Sequence, residues 1–394
     1  MPKTWQGSLL RVRSGTQRVT NVELFFDLVY VFAVTQLSHH LLGQPTVEGA
    51  LQTALLLVLV WLAWAYTTWV TNWLDPERIA VRLMLVTLML VSLVMSAALP
   101  DAFTTRGLVV GGAYATMQIG RTAFVVAALN GQPLRRNFER ILAWCLVSGA
   151  LAVAGGLAHG HTRELLWVLA AGVDLLGGAA GFYTPGLGRS ATSEWTIEGS
   201  HFAERCQGFV IIALGESIVV IGATLSQLPS VTAAAVAAFA AAFAGSVALW
   251  WVYFDRSAEE AARVIAASAD PGRLGRSAYH SIHPVMVAGI IVTAAADQKV
   301  LSDPAGIPAP PTIWMVLGGA ALFLAGHAAF KATVWRVTPW SRLAAIALLA
   351  LLAIPAPHLP GAALAACAGA VVVAVAIADR LQAAVSPGES RSQE

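Results

Sequence analysis

The chain has 394 residues, of which 57% are hydrophobic and only 12% charged, where an ordinary globular domain has about 25% charged residues. That deficit excludes a water-soluble domain and places the chain among polytopic membrane proteins, with the lipid bilayer as its first partner. The net charge of +2 says little by itself; no basic patch exceeds what membrane topology explains, so no nucleic-acid partner is expected.

In chain order, residues 1–20 read as a basic cytoplasmic segment with no secretory signal peptide. Twelve spanning helices follow, at 21–42, 48–72, 78–99, 106–129, 139–158, 163–183, 203–226, 231–254, 279–298, 312–332, 342–356 and 360–380. Thr20 and Glu23 fit a capping box at the start of the first. Glu23 and Asp27, four apart, share one face near its cytoplasmic end. They read either as a helix start paired to an arginine, with Arg82 and Arg121 at similar depth, or as a cation or proton uptake site. Trp61, Trp64, Tyr66, Trp69 and Trp73 crowd the second helix, as packing and interfacial anchors or as a cage for a cation. His39 and His40 end the first helix at the outer face, and Asp174 is a buried carboxylate in the sixth. Cys145, Cys206 and Cys367 sit in apolar runs without a CxxC pair and read as small buried hydrophobes, not as a disulfide or zinc framework.

A linker, 185–202, leads to the most informative stretch, HFAERCQGFVIIALGESIVVIG from His201 to Gly222. Bare charges in hydrocarbon cost roughly 2.5–3.5 kcal/mol each, so Glu204, Arg205 and Glu216 need a reason. Glu204 and Arg205 read as inter-helix ion pairing at the cytoplasmic edge. Glu216 lies 12 residues deeper, about 18 Å along the helix axis. It reads as a proton-relay or transport group, or as a neutral side chain hydrogen-bonded to a neighbouring helix. Gly208, Gly215 and Gly222 recur every seven residues, a small-residue stripe suited to close helix packing. His280, His283 and His327 follow in helices nine and ten, for proton coupling or for packing; no metal site is expected from them. The eleventh helix is short and ends in prolines, and 382–394 reads as a disordered tail.

Charge and repetition order these helices. With the N-terminus inside, 18 Lys and Arg fall on the inner side and only Arg106, Arg163 and Lys299 on the outer, which favours both termini in the cytoplasm. Glu23 aligns with Glu204, Trp64-Ala65-Tyr66 with Trp251-Val252-Tyr253, Arg78 and Arg82 with Arg276 and His280, Arg121 with His327 and Arg140 with Arg342. The fold expected is thus all-α, two parallel six-helix repeats at 21–184 and 203–381, with the ionisable residues gathered between them.

ELFFDLVYVFAVTQLSHHL and HFAERCQGFVIIALGESIVVIG resemble the two signatures of the bacterial low temperature requirement A (LtrA) family, over most of the chain. Cys206-Gln207-Gly208 departs from the family pattern. The resemblance implies a multi-pass protein of the bacterial cytoplasmic membrane tied to growth in the cold. It carries over Glu23, Asp27, Glu204, Arg205, Gly215, Glu216 and Ser217 as family positions. No nucleophile–base pair, P-loop or HExxH is present, so no enzyme is expected. The function expected is an ion or small-solute transporter or channel coupled to protons. Glu216 is its central group, Glu23, Asp27, Arg121, Glu204 and Arg205 gate or brace it, and His283 and His327 relay protons. The alternative is a non-transporting sensor or scaffold that binds a lipid or cofactor of unassigned identity. Small-residue helix faces permit a homodimer.

Overall fold

The computed structural model describes residues 9–11, 19–190, 199–268 and 270–385, with the side chains of Pro271 and 382–385 left aside. Most of the basic N-terminal segment, linker residues 191–198 and tail residues 386–394 lie outside the described residues, and with them Lys3, Arg13, Arg18 and Arg391.

Helices occupy all twelve expected positions. They are α1 (Asn21–Gly43), α2 (Val47–Trp73), α3 (Ile79–Ala98), α4 (Gly107–Ala128), α5 (Arg135–Leu157), α6 (Gly160–Ala179), α7 (Gly199–Gln227) and α8 (Ala233–Phe254). After the short α9 (Ser257–Ala266) and α10 (Pro271–Gly275) come α11 (His283–Ser302), α12 (Pro310–Trp335), α13 (Trp340–Leu352) and α14 (Gly361–Val385). Among the described residues nine helices are long and apolar enough to cross a membrane, and α13 is a shorter apolar one. The long helices outside that set are α4, which carries Gln118 and Arg121, and α6, which carries Arg163, Glu164 and Asp174.

Helix ends shift by up to five residues from expectation, and three differences bear on the fold. Residues 257–266 and 271–275, expected as loop, form α9 and α10; on α9, Ala258, Ala261 and Ile265 bury one face while Glu259, Glu260 and Arg263 face out. The ninth expected helix opens as a π-helical segment, Arg276–Ile282, which carries His280. Helix α14 continues to Val385, into the expected tail.

The apolar faces explain why these helices suit lipid. On α3, Val81, Met84, Leu85, Leu88 and Met89 point inward, and Leu83, Val86, Leu90, Leu93 and Val94 point outward. A helix apolar on both faces belongs in a bilayer. Helix α1 is inverted relative to a helix in water: Glu23, Asp27 and Tyr30 are buried, while Leu24, Phe25, Leu28 and Phe32 are exposed.

The chain forms two compact units. The first comprises Met1–His40, Val47–Phe209 and Ile265–Arg276; the second comprises Leu41–Thr46, Val210–Val264 and Ser277–Glu394. The division falls within α7, beyond the expected start of the second half at 203. In the first unit α4 packs on α3, α5 and α2, while α6 packs on α5 and α2. In the second, α8 packs on α14 and α11, while α12 packs on α11, α13 and α14.

Glycine sets the closest contacts, at places the sequence reading did not single out. A Cβ on Gly111 of α4 would lie 2.1 Å from the Ala152 carbonyl oxygen of α5, and one on Gly289 of α11 would lie 2.4 Å from the Phe323 nitrogen of α12. At Gly208, Gly215 and Gly222 an added Cβ meets nothing within 4 Å, so the expected stripe is not a close helix contact of the described chain. Gly111→Val should therefore force α4 and α5 apart and destabilise by about 1–3 kcal/mol. Gly112→Val, where a Cβ meets nothing, is the control. Thermal unfolding in detergent checks the pair, and equal melting temperatures would contradict the close packing.

Candidate functional site

In the first unit the buried carboxylates of α1 find their partners on α7, not on α3 or α4. The i, i+4 spacing puts Glu23 and Asp27 on one inward face. Arg205 grips Asp27 with a two-pronged fork, Nε donating to Oδ2 at 2.7 Å and Nη2 to Oδ1 at 2.6 Å. Its Nη1 donates to Glu23 Oε1 at 3.1 Å and to Thr71 Oγ1 at 3.2 Å. Glu23 Oε1 also accepts from His201 Nε2 at 2.9 Å, and Oε2 accepts from Arg11 Nη2 at 2.8 Å. The Thr20 backbone N–H donates to the same Oε2 at 2.9 Å, which realises the expected capping-box contact. Arg11 is held in place because 9–11 pair with the end of α2, Arg11 N donating to Trp73 O at 2.9 Å and Asp75 N to Leu9 O at 2.8 Å. Two carboxylates thus face two guanidiniums, and the cluster balances its charge inside an apolar wall.

That wall contributes a donor. Trp64 Nε1 donates to Asp27 Oδ1 at 2.6 Å. Trp61 and Trp64 pack against Phe209, with ring centroids 5.2 and 4.7 Å away, and Trp69 packs against Phe202 at 4.4 Å. The aromatic crowd of α2 is therefore packing around an ion pair.

Arg82 and Arg121, the partners expected for Glu23 and Asp27, are used elsewhere. Arg82 meets Glu77 at the surface, 3.0 Å away. Arg121 belongs to a second buried network, centred on Asp174. Asp174 Oδ2 accepts from the Tyr114 hydroxyl and, at 2.7 Å, from Gln118 Nε2. Arg121 Nη2 donates to Gln118 Oε1 at 2.6 Å, and Nη1 to Ala63 O and Thr67 Oγ1 at 3.3 Å each. Tyr66 donates to Asp174 O at 2.7 Å and lies under the Arg121 guanidinium, 5.2 Å from ring centroid to Cζ. Anion and cation here are bridged by one amide instead of touching.

In the second unit, Glu216 is buried on α7 beside Ser217, whose hydroxyl lies 3.1 Å from that of Ser246 on α8. His283 Nδ1 faces the Ala278 carbonyl at 3.1 Å, so that nitrogen carries the proton, and Nε2 lies 2.6 Å from the Tyr253 hydroxyl. His327 Nδ1 accepts from Arg342 Nε at 3.4 Å, and Arg342 also forks onto Asp379 of α14. His280 is buried too.

Of the sequence-derived residues, the structure joins Glu23, Asp27 and Arg205 in one cluster and Asp174 and Arg121 in another; His283 and His327 both lie near Tyr253. Glu204 is exposed and outside the ionic cluster, because neighbouring positions on α7 point about 100° apart and Arg205 takes the inward face. His40 is buried, its Nδ1 3.0 Å from Thr53 Oγ1, while His39 is exposed. Cys145 and Cys206 are buried, but Cys367 is exposed, which corrects its reading as buried. The sequence reading missed Arg11, His201 and Trp64 as members of the ionic cluster, and Tyr114 and Gln118 as partners of Asp174. His201 opening the ER-containing stretch and Trp64 in the aromatic crowd of α2 were the signals in view. Among the described residues no group of three or more His, Cys, Asp or Glu is placed to hold a metal ion.

An uncharacterized protein of Rhizobium meliloti (strain 1021) is 37% identical over 358 residues, which cover 90% of this chain and 87% of that protein. The family described as bacterial low temperature requirement A protein (LtrA) matches residues 18–377, a range that takes in Glu23, Asp27, Arg205 and Glu216. With helices apolar enough to span a bilayer and that match over nearly its whole length, the chain belongs to the bacterial low temperature requirement A family of membrane proteins.

Proposed function

We propose that the chain is a channel or transporter of the bacterial cytoplasmic membrane that moves a proton or small cation, with Glu216 as the group that takes it up. One observation carries the reading: Glu216 is 2% exposed and lies more than half-way along the apolar α7. A carboxyl at that depth in an apolar span is costly as an anion, so its uptake and release of a proton or small cation can be coupled to passage. Asp174, held by the uncharged donors Tyr114 and Gln118, is a second group of this kind. No catalytic step is assigned.

The same reading takes the twelve helices as two six-helix repeats with both termini in the cytoplasm. The packing order α3–α4, α4–α5, α5–α6 and α2–α6 in the first unit has its counterpart in α11–α12, α12–α13, α13–α14 and α8–α14 in the second. The aligned pairs Tyr66 and Arg121, and Tyr253 and His327, are neighbours in their respective units, at 5.2 and 6.4 Å.

A test is flux into liposomes that hold a pH dye, driven by a potassium gradient with valinomycin, with other cations in parallel runs. Flux above empty liposomes is expected, falling to the empty-liposome level in folded Glu216→Gln protein. Undiminished flux in that variant would remove Glu216 from the pathway. The ionic cluster of the first unit favours a second reading, because its carboxylate oxygens are all engaged and it acts as a brace. A chain without flux, purified with a bound lipid or cofactor, would be a sensor or scaffold.

A further inference from the structure

The second unit holds a carboxylate that neither the ionic clusters nor the Glu216 reading uses. Asp297, near the end of α11, is only 7% exposed, and its Oδ2 finds no hydrogen-bond partner among the described residues. It borders a cavity of about 30 Å³ walled by Ala241, Ala242 and Gly245 of α8, Ala320 of α12, and Ala368 and Gly369 of α14. No other lining residue titrates. One turn back on α11, Thr293 lines the same cavity; its hydroxyl donates to Gly289 O at 2.9 Å, which leaves its oxygen lone pairs available.

The gap has a cause in the packing. Against α12, Gly289, Gly319 and Gly326 let the backbones close to contact, and a Cβ on Gly319 would lie 2.5 Å from Thr293 Oγ1. On the α8 and α14 side the wall is mostly alanine and glycine, with Leu249 and Val372, and the short side chains leave the space unfilled. A void of this size admits about two water-sized guests. An ionised carboxylate buried without a counter-charge is expensive. A proton alone would neutralise Asp297 but needs no cavity. A divalent ion would leave a net positive charge in apolar surroundings, and no second carboxylate lines the space. A monovalent ion of sodium size, with the Asp297 carboxylate, the Thr293 oxygen and a water as oxygen donors, matches both charge and volume.

We propose that the cavity between α8, α11, α12 and α14 is a binding site for a sodium-sized alkali cation, with Asp297 as its anionic ligand and Thr293 as a supporting oxygen. The site stands apart from the Glu216 reading, since it is defined by binding and not by flux.

The test is protection of Asp297 from dicyclohexylcarbodiimide, which couples to carboxyl groups in apolar surroundings. Purified full-length protein is labelled in sodium chloride or in choline chloride at equal ionic strength, and the peptide carrying Asp297 is read by mass spectrometry. Sodium should reduce labelling about tenfold at ten times its dissociation constant and should raise the melting temperature in a saturable way. Asp297→Asn, equal in shape, should lose the sodium-dependent rise. Gly245→Val adds carbon to the cavity at a position where a Cβ meets nothing within 4 Å. It should leave Asp297 labelled and remove the sodium protection, and it keeps the test open should Asp297→Asn fold poorly. Labelling indifferent to sodium in the wild-type chain, or protection that survives in Gly245→Val, would overturn the proposal.

Discussion

Replacing Arg205 by methionine is expected to destabilise the first unit by roughly 3–5 kcal/mol, because it leaves a buried carboxylate without its cation. Methionine keeps much of the volume, so packing against Phe26 and Trp64 is largely retained and the loss is electrostatic. Among the described residues Asp27 would keep only the Trp64 indole as a donor, and Glu23 would keep Arg11, His201 and Thr20. A buried carboxylate deprived of its cation is far worse off than the same site with both charges removed. Arg205→Met combined with Asp27→Asn should therefore recover a substantial part of the loss, and the double-mutant cycle measures the coupling. Unfolding can be followed in detergent with a thiol-reactive dye, since Cys145 and Cys206 are buried; Cys367, which is exposed, would first be replaced. An unchanged melting temperature in Arg205→Met would show that the cluster is not what holds α1, α2 and α7 together.

Arg163→Met is expected to have the next largest effect, of order 3 kcal/mol. Arg163 is one of three cations that the charge pattern of the loops leads one to expect on the outer side, and in the first unit it is a hydrogen-bond donor to backbone carbonyls. Its guanidinium donates to Ala158 O at 3.0 Å and Gly155 O at 3.3 Å, at the end of α5. It also donates to Ala102 O at 2.7 Å and Thr104 O at 3.1 Å, in the turn after α3. The last carbonyls of a helix have no partner within it. Hydrogen bonds from a charged donor are worth about 1.5–3 kcal/mol each, not additively, and some water reaches the groups once the side chain is gone. Lysine offers three donors from one point and should restore less than half of the loss. Equal unfolding temperatures for the lysine variant and the wild-type chain would contradict the clamp.

Both predictions concern arginines visible in the sequence whose work was not. Arg205 was expected to pair across helices, and it does, with Asp27 and Glu23. The pairing of Asp27 with Arg82 or Arg121 was a guess from depth alone, and depth does not say which helix faces which. Arg121 lies on α4 beside Gln118 and Thr67, so its charge reaches Asp174 through an amide. The stripe of Gly208, Gly215 and Gly222 had the right period for a helix contact, yet the close contacts are made by other glycines, among them Gly111, Gly289 and the seven-residue pair Gly319 and Gly326.

Composition, hydrophobic length and turn chemistry are local properties, and they were enough to establish an all-helical membrane protein, the positions of its long helices, the Thr20–Glu23 cap and the shared face of Glu23 and Asp27. The partners of those carboxylates come from packing, because Asp27 and Arg205 are 178 residues apart and meet only through the facing of α1 and α7. Asp297 is the extreme case. Two residues before Lys299 at the end of an apolar helix it reads as an ordinary interfacial acid. Residues of three other helices, mostly alanine and glycine, line the cavity beside it, and no local pattern in its own helix encodes their positions.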